Sequence, residues 1–414
     1  MLAMQVLQQI VWQMGALVCS PVFWLMTGIV YLQIRHQAKR KEEMFQVRRE
    51  PVIGRAVITV LAGLAGGMLA SGLLLVLGVS ADCVGLEYLW VIALLLMLIR
   101  QRFLCFAYAG GILACCSCLT GWPQIDVSQL LAMSAVLHCT EAFLVLLTGH
   151  GNALPVYLRD ENSRITGGFL LQMTWPLPMI MLFAMAGTAP QPQAGFLLFP
   201  DWWPVIGQNA GHSTGILYLM LPVLAALSYC DIAVSRSIRQ KTAQSAGLLL
   251  AYSACLLFLV IWTDDWGLRQ LIPALFAPLG HELVIHCGKR SEMSGAGRYR
   301  APDRGVLILD VQHGSPAARA GLHREDWIVQ LDGRTVNNRQ SFLRQQYLLP
   351  AFVTVRYVRG GKQRTCCIRM KNWSQPGIIT APDDSCEIYW TLQNDDGIVK
   401  FLYKMCEKTL KNMR

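Results

Sequence analysis

The sequence predicts an α-helical multi-pass membrane domain of about eight or nine spans, followed by a small α+β domain. Hydrophobic residues make up 54% of the 414 residues and charged residues only 15%, a balance outside the usual range of soluble chains. Polar, water-soluble sequence begins only after Lys289. The nine apolar runs that precede it are long enough for a bilayer core and lie at 15–34, 57–79, 84–99, 103–120, 128–148, 168–187, 214–234, 244–262 and 270–287.

The order of these features predicts four regions along the chain. The membrane domain takes residues 1–290, and a Gly/Ser-containing linker follows at 291–295. The α+β domain takes 296–382. A tail at 383–414 carries a possible amphipathic helix, in which apolar side chains recur at helical spacing among lysines: Ile398, Phe401, Leu402 and Met405.

Positive charge alternates along the predicted membrane domain. Lys and Arg concentrate in every second connection, at 35–55, 100–102, 159–164, 236–241 and 289–290. The connections at 80–86, 121–127 and 189–212 contain none, and the remaining one contains only Arg269. Because basic connections stay in the cytoplasm, this pattern predicts an external N-terminus and a cytoplasmic C-terminal domain. The net charge of +10 therefore reflects membrane topology, and no nucleic-acid partner is expected.

The C-terminal domain has strong local signals. A strand is predicted at 306–309, a short helix after Gly314-Ser315-Pro316, a strand at 327–331 and a turn at Asp332-Gly333. Asn338 predicts the start of a helix that runs to residue 348, and a hairpin follows at 352–370. Residues 377–380 add a last strand. This order, with the Gly-Ser-Pro-Ala-Ala run, resembles the circularly permuted PDZ domains of bacteria.

The PDZ resemblance implies a peptide-binding site. The loop Arg304, Gly305, Val306 and Leu307 would bind a terminal carboxylate through backbone N–H groups, and strand 306–310 would pair with the ligand. The apolar groove would be lined by Val306, Ile308, Phe342, Leu343 and Tyr347. The alternative is that these apolar residues only fill the core of a small domain.

Two motifs resemble catalytic sites without the context that catalysis needs. Gly211-His212-Ser213-Thr214-Gly215 has the pattern of a nucleophile elbow, but it opens a predicted span and no histidine is expected at the depth of Ser213. His281 and His286 are five residues apart, and this spacing points them to different sides of a helix. We predict no catalytic residue and no enzymatic activity.

The cysteines and the ionisable residues inside the spans need a separate account. Cys115, Cys116 and Cys118 lack the paired spacing of a zinc site, so we predict no metal ligand and no cofactor. Intramembrane charges usually face the bundle interior and pair. We expect a structural polar clamp between the fifth and last spans, with a proton or ion pathway as the alternative, involving Glu141, His138, His281 and Glu282.

The overall layout resembles the MinJ-type cell-division determinants of bacteria, in which many membrane spans precede one cytoplasmic PDZ domain. The residues that carry this resemblance are the run 304–311, the Gly-Ser-Pro-Ala-Ala run and Gly377-Ile378-Ile379 followed by Pro382-Asp383. The resemblance implies a membrane-anchored adaptor at the septum and poles that bridges a DivIVA-like scaffold to a MinD-like ATPase. Two alternatives are a PDZ-regulated intramembrane protease and a membrane sensor or transporter.

Overall fold

The structure, a computed structural model, describes residues 2–99, 101–103, 105–159, 165–186, 203–206, 216–264, 267–295, 297–346, 349–370, 375–383, 386 and 390–391. Within the described residues, eight α-helices form most of the chain up to residue 293. Their bounds are α1 Leu2–Val18, α2 Pro21–Phe45, α3 Ile53–Leu77, α4 Leu86–Ile99, α5 Phe106–Thr120, α6 Val127–Thr148, α7 Ile238–Trp262 and α8 Leu271–Met293. We call this part, with the strands between α6 and α7, the helical part.

Four helices in the described part of the chain are long and apolar enough to cross a membrane, rather than the eight or nine spans predicted. They are α3, α6, α7, and α8 together with the turn that leads into it; the pair α1–α2, bent by 68° near Pro21, is a fifth candidate. Helices α4 and α5 have 14 and 15 residues. At 1.5 Å per residue they reach about 22 Å, which is short of a hydrocarbon core of about 30 Å.

Two runs predicted as spans are strands. Strand β1 covers Ala153–Arg159, β2 covers Ile165–Ala186 and β3 covers Ile216–Ala233; β2 and β3 pair antiparallel from Phe169↔Ala233 to Ala186↔Ile216. Prolines explain the error, because Pro176, Pro178 and Pro222 each would remove a hydrogen bond from a helix and clash with its preceding turn. Hydropathy alone cannot separate a long apolar strand from a helix.

The far edge of β2 is covered by helix α3. Strand β1 pairs with the first residues of β2, up to Leu171, and from residue 172 onward no described strand runs along this edge, which meets the chain again at the isolated Ser80↔Leu182 bridge. Pro176 and Pro178 have no N–H to leave unpaired there, and the Ile180 N–H donates to Ser71 Oγ at 2.8 Å. Gly63 and Gly67 of α3 lie against the carbonyl oxygens of the two prolines, where a Cβ atom would clash. The small residues of α3 therefore let a helix seal a sheet edge.

The C-terminal part, from residue 297, forms a six-stranded sheet with two helices. The elements are β4 Val306–Val311, α9 Pro316–Arg319, β5 Trp327–Leu331, β6 Arg334–Thr335, α10 Arg339–Gln346, β7 Phe352–Arg359, β8 Lys362–Arg369 and β9 Ile378–Thr380. The sheet order is β8-β7-β5-β4-β9, with β6 beside β5. The elements predicted locally from the sequence are present. Helix α8, however, continues through Met293, so most of the predicted linker at 291–295 is helical.

The C-terminal part is docked on the helical part. Strand β10, Trp390–Thr391, pairs parallel with β1 and joins the sheet β10-β1-β2-β3. The Gly167 N–H donates to the Tyr299 carbonyl at 2.9 Å, and the Arg298 N–H donates to the Val234 carbonyl at 2.9 Å. Tyr299 and Leu309 are almost fully buried and belong to the same apolar core as the helices. The C-terminal part therefore contacts the helical part through a packed interface.

Candidate functional site

Strand β4, predicted to receive a ligand strand, has no open edge. Ile308 exchanges backbone hydrogen bonds with the chain around β5: its N–H donates to Asp326 O, and its carbonyl accepts from Glu325 N, both at 2.9 Å. On the opposite edge, the Leu307 carbonyl accepts from the Ala381 N–H at 2.8 Å, next to β9. A partner strand cannot add to β4, and the pairing role predicted for 306–310 is wrong for this sheet.

The loop predicted to bind a carboxylate is committed to internal contacts. Gly305 has a φ of 85°, which glycine tolerates best. Its N–H donates to the Asn337 carbonyl at 3.0 Å, and the Trp327 indole donates to the Arg304 carbonyl at 2.6 Å. The Gly305 N–H therefore faces the domain and is not offered to an anion.

Three of the predicted groove residues form the core of the domain. Val306, Ile308 and Phe342 are 3%, 0% and 0% exposed and pack in one apolar cluster with β5, β7 and β8. The core alternative therefore holds for them. Tyr347 lies outside the described residues.

The edge strand beside β4 is β9, and it is buried in the docked protein, with Ile379 and Thr380 only 2% and 4% exposed. Because Ala381 bonds to β4, the backbone of Thr380 faces outward, and its carbonyl accepts a hydrogen bond from the Tyr157 hydroxyl at 2.8 Å. The preceding turn is fixed by Gly377, whose φ is 77° and whose carbonyl accepts from Gln312 N at 2.9 Å. An extended peptide can add to such an edge strand by hydrogen bonding to its outward-facing backbone groups.

Helix α10 forms the wall beside this edge. Asn338 caps the helix as predicted, because its Oδ1 accepts from Ser341 N at 2.9 Å. The Arg339 guanidinium lies 5.6 Å from the centre of the Tyr157 ring, so Tyr157 contacts both α10 and β9. Leu343 follows Arg339 by four residues, on nearly the same side of the helix, and packs half-buried against the core. We call the space bounded by β9, Arg339 and Leu343 the β9–α10 groove.

Tyr157 closes one end of the groove from the helical part. It lies on β1 and is 6% exposed, and its ring meets Phe45 edge-on at 5.3 Å. Burial raises the pKa of its hydroxyl, so the group stays protonated and donates to Thr380. No local pattern marks this residue as part of the site, since 223 positions separate it from Thr380.

A buried ion network holds the two parts together next to the groove. Lys41 Nζ on α2 lies 2.9 Å from Glu50 Oε1 and 2.9 Å from Asp310 Oδ2 on β4. Arg324 bonds the other Asp310 oxygen at 2.8 Å, and Arg55 pairs with Glu50. Each of the two carboxylates thus has two cationic partners, which is what burial of a charge requires.

The catalytic resemblances gain no support. The motif at 211–215, with Ser213, lies outside the described residues. His286 is exposed, whereas His281 is half-buried with its ring turned toward Cys105 and His138, so the two histidines do not share a site.

Comparison with known proteins identifies the C-terminal part. The PDZ domain family model matches residues 288–369. Among solved structures, the PDZ domain of the SdrC-like protein of Listeria monocytogenes is 25% identical, with 20% of this chain and 92% of that chain covered and a TM-score of 0.17. The PDZ domain of the SdrC-like protein of Listeria innocua is 28% identical, with 18% and 92% covered and a TM-score of 0.17. No curated protein matches the chain.

The chain therefore contains a PDZ domain that follows a region with several apolar helices long enough for a membrane. A PDZ domain indicates interaction with other proteins, as in an adaptor.

Proposed function

We propose that this protein is a membrane-anchored adaptor whose β9–α10 groove binds an extended segment of a partner protein. The observation that supports this most is the position of β9 at the sheet edge, with the Thr380 carbonyl directed outward beside helix α10. A partner strand adds to β9 through backbone hydrogen bonds, and its alternate side chains contact Leu343 and the α10 wall.

This arrangement assigns different roles to the residues predicted from the sequence. Leu343 contacts the partner directly. Arg304, Gly305, Val306, Leu307, Ile308 and Phe342 support the groove from beneath, because they hold β4 and α10 in place against β9. Gly377 replaces Gly305 as the glycine that shapes the entrance of the groove, since its positive φ turns the chain into β9.

We further propose that the partners are division-site proteins, a DivIVA-like scaffold and a MinD-like ATPase, engaged by the PDZ domain or by the tail at 383–414. Support comes from the layout of apolar helices before one PDZ domain, and the basic residues Lys289 and Arg290 near the C-terminal end of helix α8 favour a cytoplasmic PDZ domain. The protein then acts by positioning other proteins at the septum and poles, and not by catalysis.

The groove is tested by in-cell crosslinking followed by capture of the full-length protein and mass spectrometry. Leu343→Asp places a charge where an apolar partner side chain must be desolvated, and we expect it to lose the captured partners. Arg344→Asp is the matched control, because Arg344 is the exposed next residue of the same helix and changes to the same side chain. Equal capture of partners by both variants would refute the assignment of the β9–α10 groove as the binding site.

The division role is tested separately by imaging a fluorescent fusion in dividing cells. Enrichment at septa and poles, lost in Leu343→Asp and kept in Arg344→Asp, is the expected result. A uniform membrane signal for the unmodified protein would reject the division role without affecting the assignment of the groove.

A further inference from the structure

Three side chains with metal-ligating atoms meet between helices α5, α6 and α8, far from the PDZ groove along the chain. They are Cys105, His138 and His281, and their ligand atoms all lie within 4.8 Å of one another. Cys105 Sγ is 3.1 Å from His138 Nε2 and 3.8 Å from His281 Nε2. The sequence predicted a polar contact between the spans of His138 and His281, but it did not identify Cys105.

We propose that these three residues bind one d¹⁰ transition-metal ion, Zn²⁺ or Cu⁺. One thiolate and two imidazoles are a ligand set that both ions accept. With metal–sulfur and metal–nitrogen bonds of about 2.3 and 2.05 Å, tetrahedral ligands are about 3.5 Å apart. The two sulfur–nitrogen distances lie on either side of this value, and all three ligand atoms lie within 4.8 Å of one another, so side-chain rotations would bring them around one ion.

The surroundings of His138 prepare it as a ligand. Its Nδ1 lies 2.7 Å from the Ser134 carbonyl oxygen, which only accepts, so Nδ1 carries the proton and donates. The lone pair is therefore on Nε2, the atom that faces Cys105. A backbone carbonyl on the second nitrogen is the usual arrangement that fixes a ligating imidazole in orientation and tautomer. His138 is 2% exposed, and this geometry is thus held by a packed core.

The other two residues lack alternative partners of comparable quality. Among the described residues, His281 Nδ1 is buried without a hydrogen-bond partner, and Nε2 has only the 3.8 Å contact to Cys105. A cation at Nε2 supplies the interaction that this buried ring otherwise lacks. Cys105 is the N-cap residue of the 15-residue helix α5 and makes no side-chain capping hydrogen bond there, and a bound metal ion would displace its thiol proton to give the thiolate ligand.

A polar path leads from the surface to the site. Glu282 is half-exposed and pairs with Arg102 at 3.3 Å, and the Tyr108 hydroxyl donates to Glu282 at 2.6 Å. The Tyr108 ring then contacts the His281 ring edge-on at 5.3 Å. With three protein ligands, the fourth position of a Zn²⁺ ion stays open to water or another ligand, whereas Cu⁺ is satisfied by three.

The test uses the full-length protein in detergent or nanodiscs, first stripped of metal with a chelator. Co²⁺ is the spectroscopic probe for Zn²⁺, because a thiolate ligand gives a sulfur-to-cobalt charge-transfer band. Cu⁺ is tested separately under reducing conditions by competition with a chromogenic chelator. We expect one equivalent of Co²⁺, displaced by Zn²⁺, or one equivalent of Cu⁺. Less than one tenth of an equivalent of both ions in the unmodified protein would overturn the proposal.

Substitutions identify which of the 14 cysteines and eight histidines of the chain bind the ion. Cys105→Ser should abolish the charge-transfer band. His138→Gln and His281→Gln should weaken binding by more than about a hundredfold, because changes in the groups around a ligand already cost about 10- to 100-fold. The controls Cys139→Ser and His286→Gln change the same residue types nearby and should bind normally. A band that survives in Cys105→Ser, or is lost equally in the controls, would overturn the site. If a ligand variant fails to fold, the proposal is judged from the charge-transfer band and the metal stoichiometry of the unmodified protein and of the two controls.

Discussion

Replacing Lys41 by Met should loosen the PDZ domain from the helical part. The Lys41 ammonium contacts both Glu50 of the helical part and Asp310 of the PDZ domain, at 2.9 Å from each. Both carboxylates are nearly inaccessible, with side-chain exposures of 5% and 4%. Met keeps most of the volume of the lysine stem, so the variant tests the charge and leaves the packing largely intact.

The free-energy cost of Lys41→Met depends on which cationic partners each carboxylate keeps. Removing one partner of a fully buried ion pair costs about 3 to 5 kcal/mol, because the remaining charge is left uncompensated. Here Asp310 keeps Arg324 and Glu50 keeps Arg55, so we expect a lower cost of about 2 to 3 kcal/mol in the free energy of undocking. At 1.4 kcal/mol per factor of ten, this is an increase of about 30- to 150-fold in the undocked population.

Hydrogen exchange measured by mass spectrometry reports this population directly. The amides of Gly167 and Arg298 donate across the interface, so they exchange when the two parts separate. Their exchange in nanodiscs should accelerate by the same about 30- to 150-fold in Lys41→Met. The control is Lys39→Met, since Lys39 forms only an exposed pair with Glu43 and its loss should cost less than about 0.5 kcal/mol. Unchanged exchange in Lys41→Met would refute the reasoning.

Two further predictions concern packing and thiol chemistry. Gly67→Ala should lower the free energy of unfolding by about 2 to 4 kcal/mol, because its methyl group would clash with the β2 backbone. This loss should be measured as a lower melting temperature and a lower abundance of the purified protein. Gly72→Ala on the same helix meets open space and should be neutral or stabilising by up to about 1 kcal/mol, and equal losses would contradict the sealed edge. Burial raises the pKa of the Cys366 thiol to about 11, so below pH 9 little reactive thiolate forms there. Alkylation mapped by mass spectrometry at pH 8 should modify exposed Cys367 first, and preferential labelling of Cys366 would show that the strand faces are reversed.

The PDZ elements could be predicted from the sequence because their signals are local. Asp332-Gly333 and Gly360-Gly361 have positive φ at both residues, which is the turn that a two-residue hairpin requires. The Asn338 cap and the Gly-Ser-Pro helix start are also fixed within four residues. Such features depend on neighbouring side chains and on backbone sterics, and tertiary packing leaves them unchanged.

The placement of β9 at the sheet edge and the arrangement of the helical part depend on distant pairings that local patterns do not contain. Strand β9 pairs with β4, about 70 residues earlier, and that pairing decides which strand is left at the edge. Strand β2 could not be recognised for the same reason, because its apolar run is as long as a membrane-spanning helix. The spacing of Pro176 and Pro178 was the available signal, since alternate residues of a strand share an edge.

Tyr157 connects docking with partner binding. Its hydroxyl occupies the Thr380 carbonyl, the same acceptor that an added strand would use, while its ring packs on Phe45 of the helical part. A partner strand and the docked Tyr157 therefore compete for one edge, and as long as the docked form predominates, a change that weakens docking strengthens partner binding by the same factor. Tyr157→Phe removes only the hydroxyl and frees this acceptor, at the cost of about 1 kcal/mol of docking energy. It should increase partner capture about fivefold, measured by the same crosslinking assay, and Lys41→Met should act in the same direction. Reduced capture in both variants, with the PDZ domain still folded, would mean that the docked state is the one that binds.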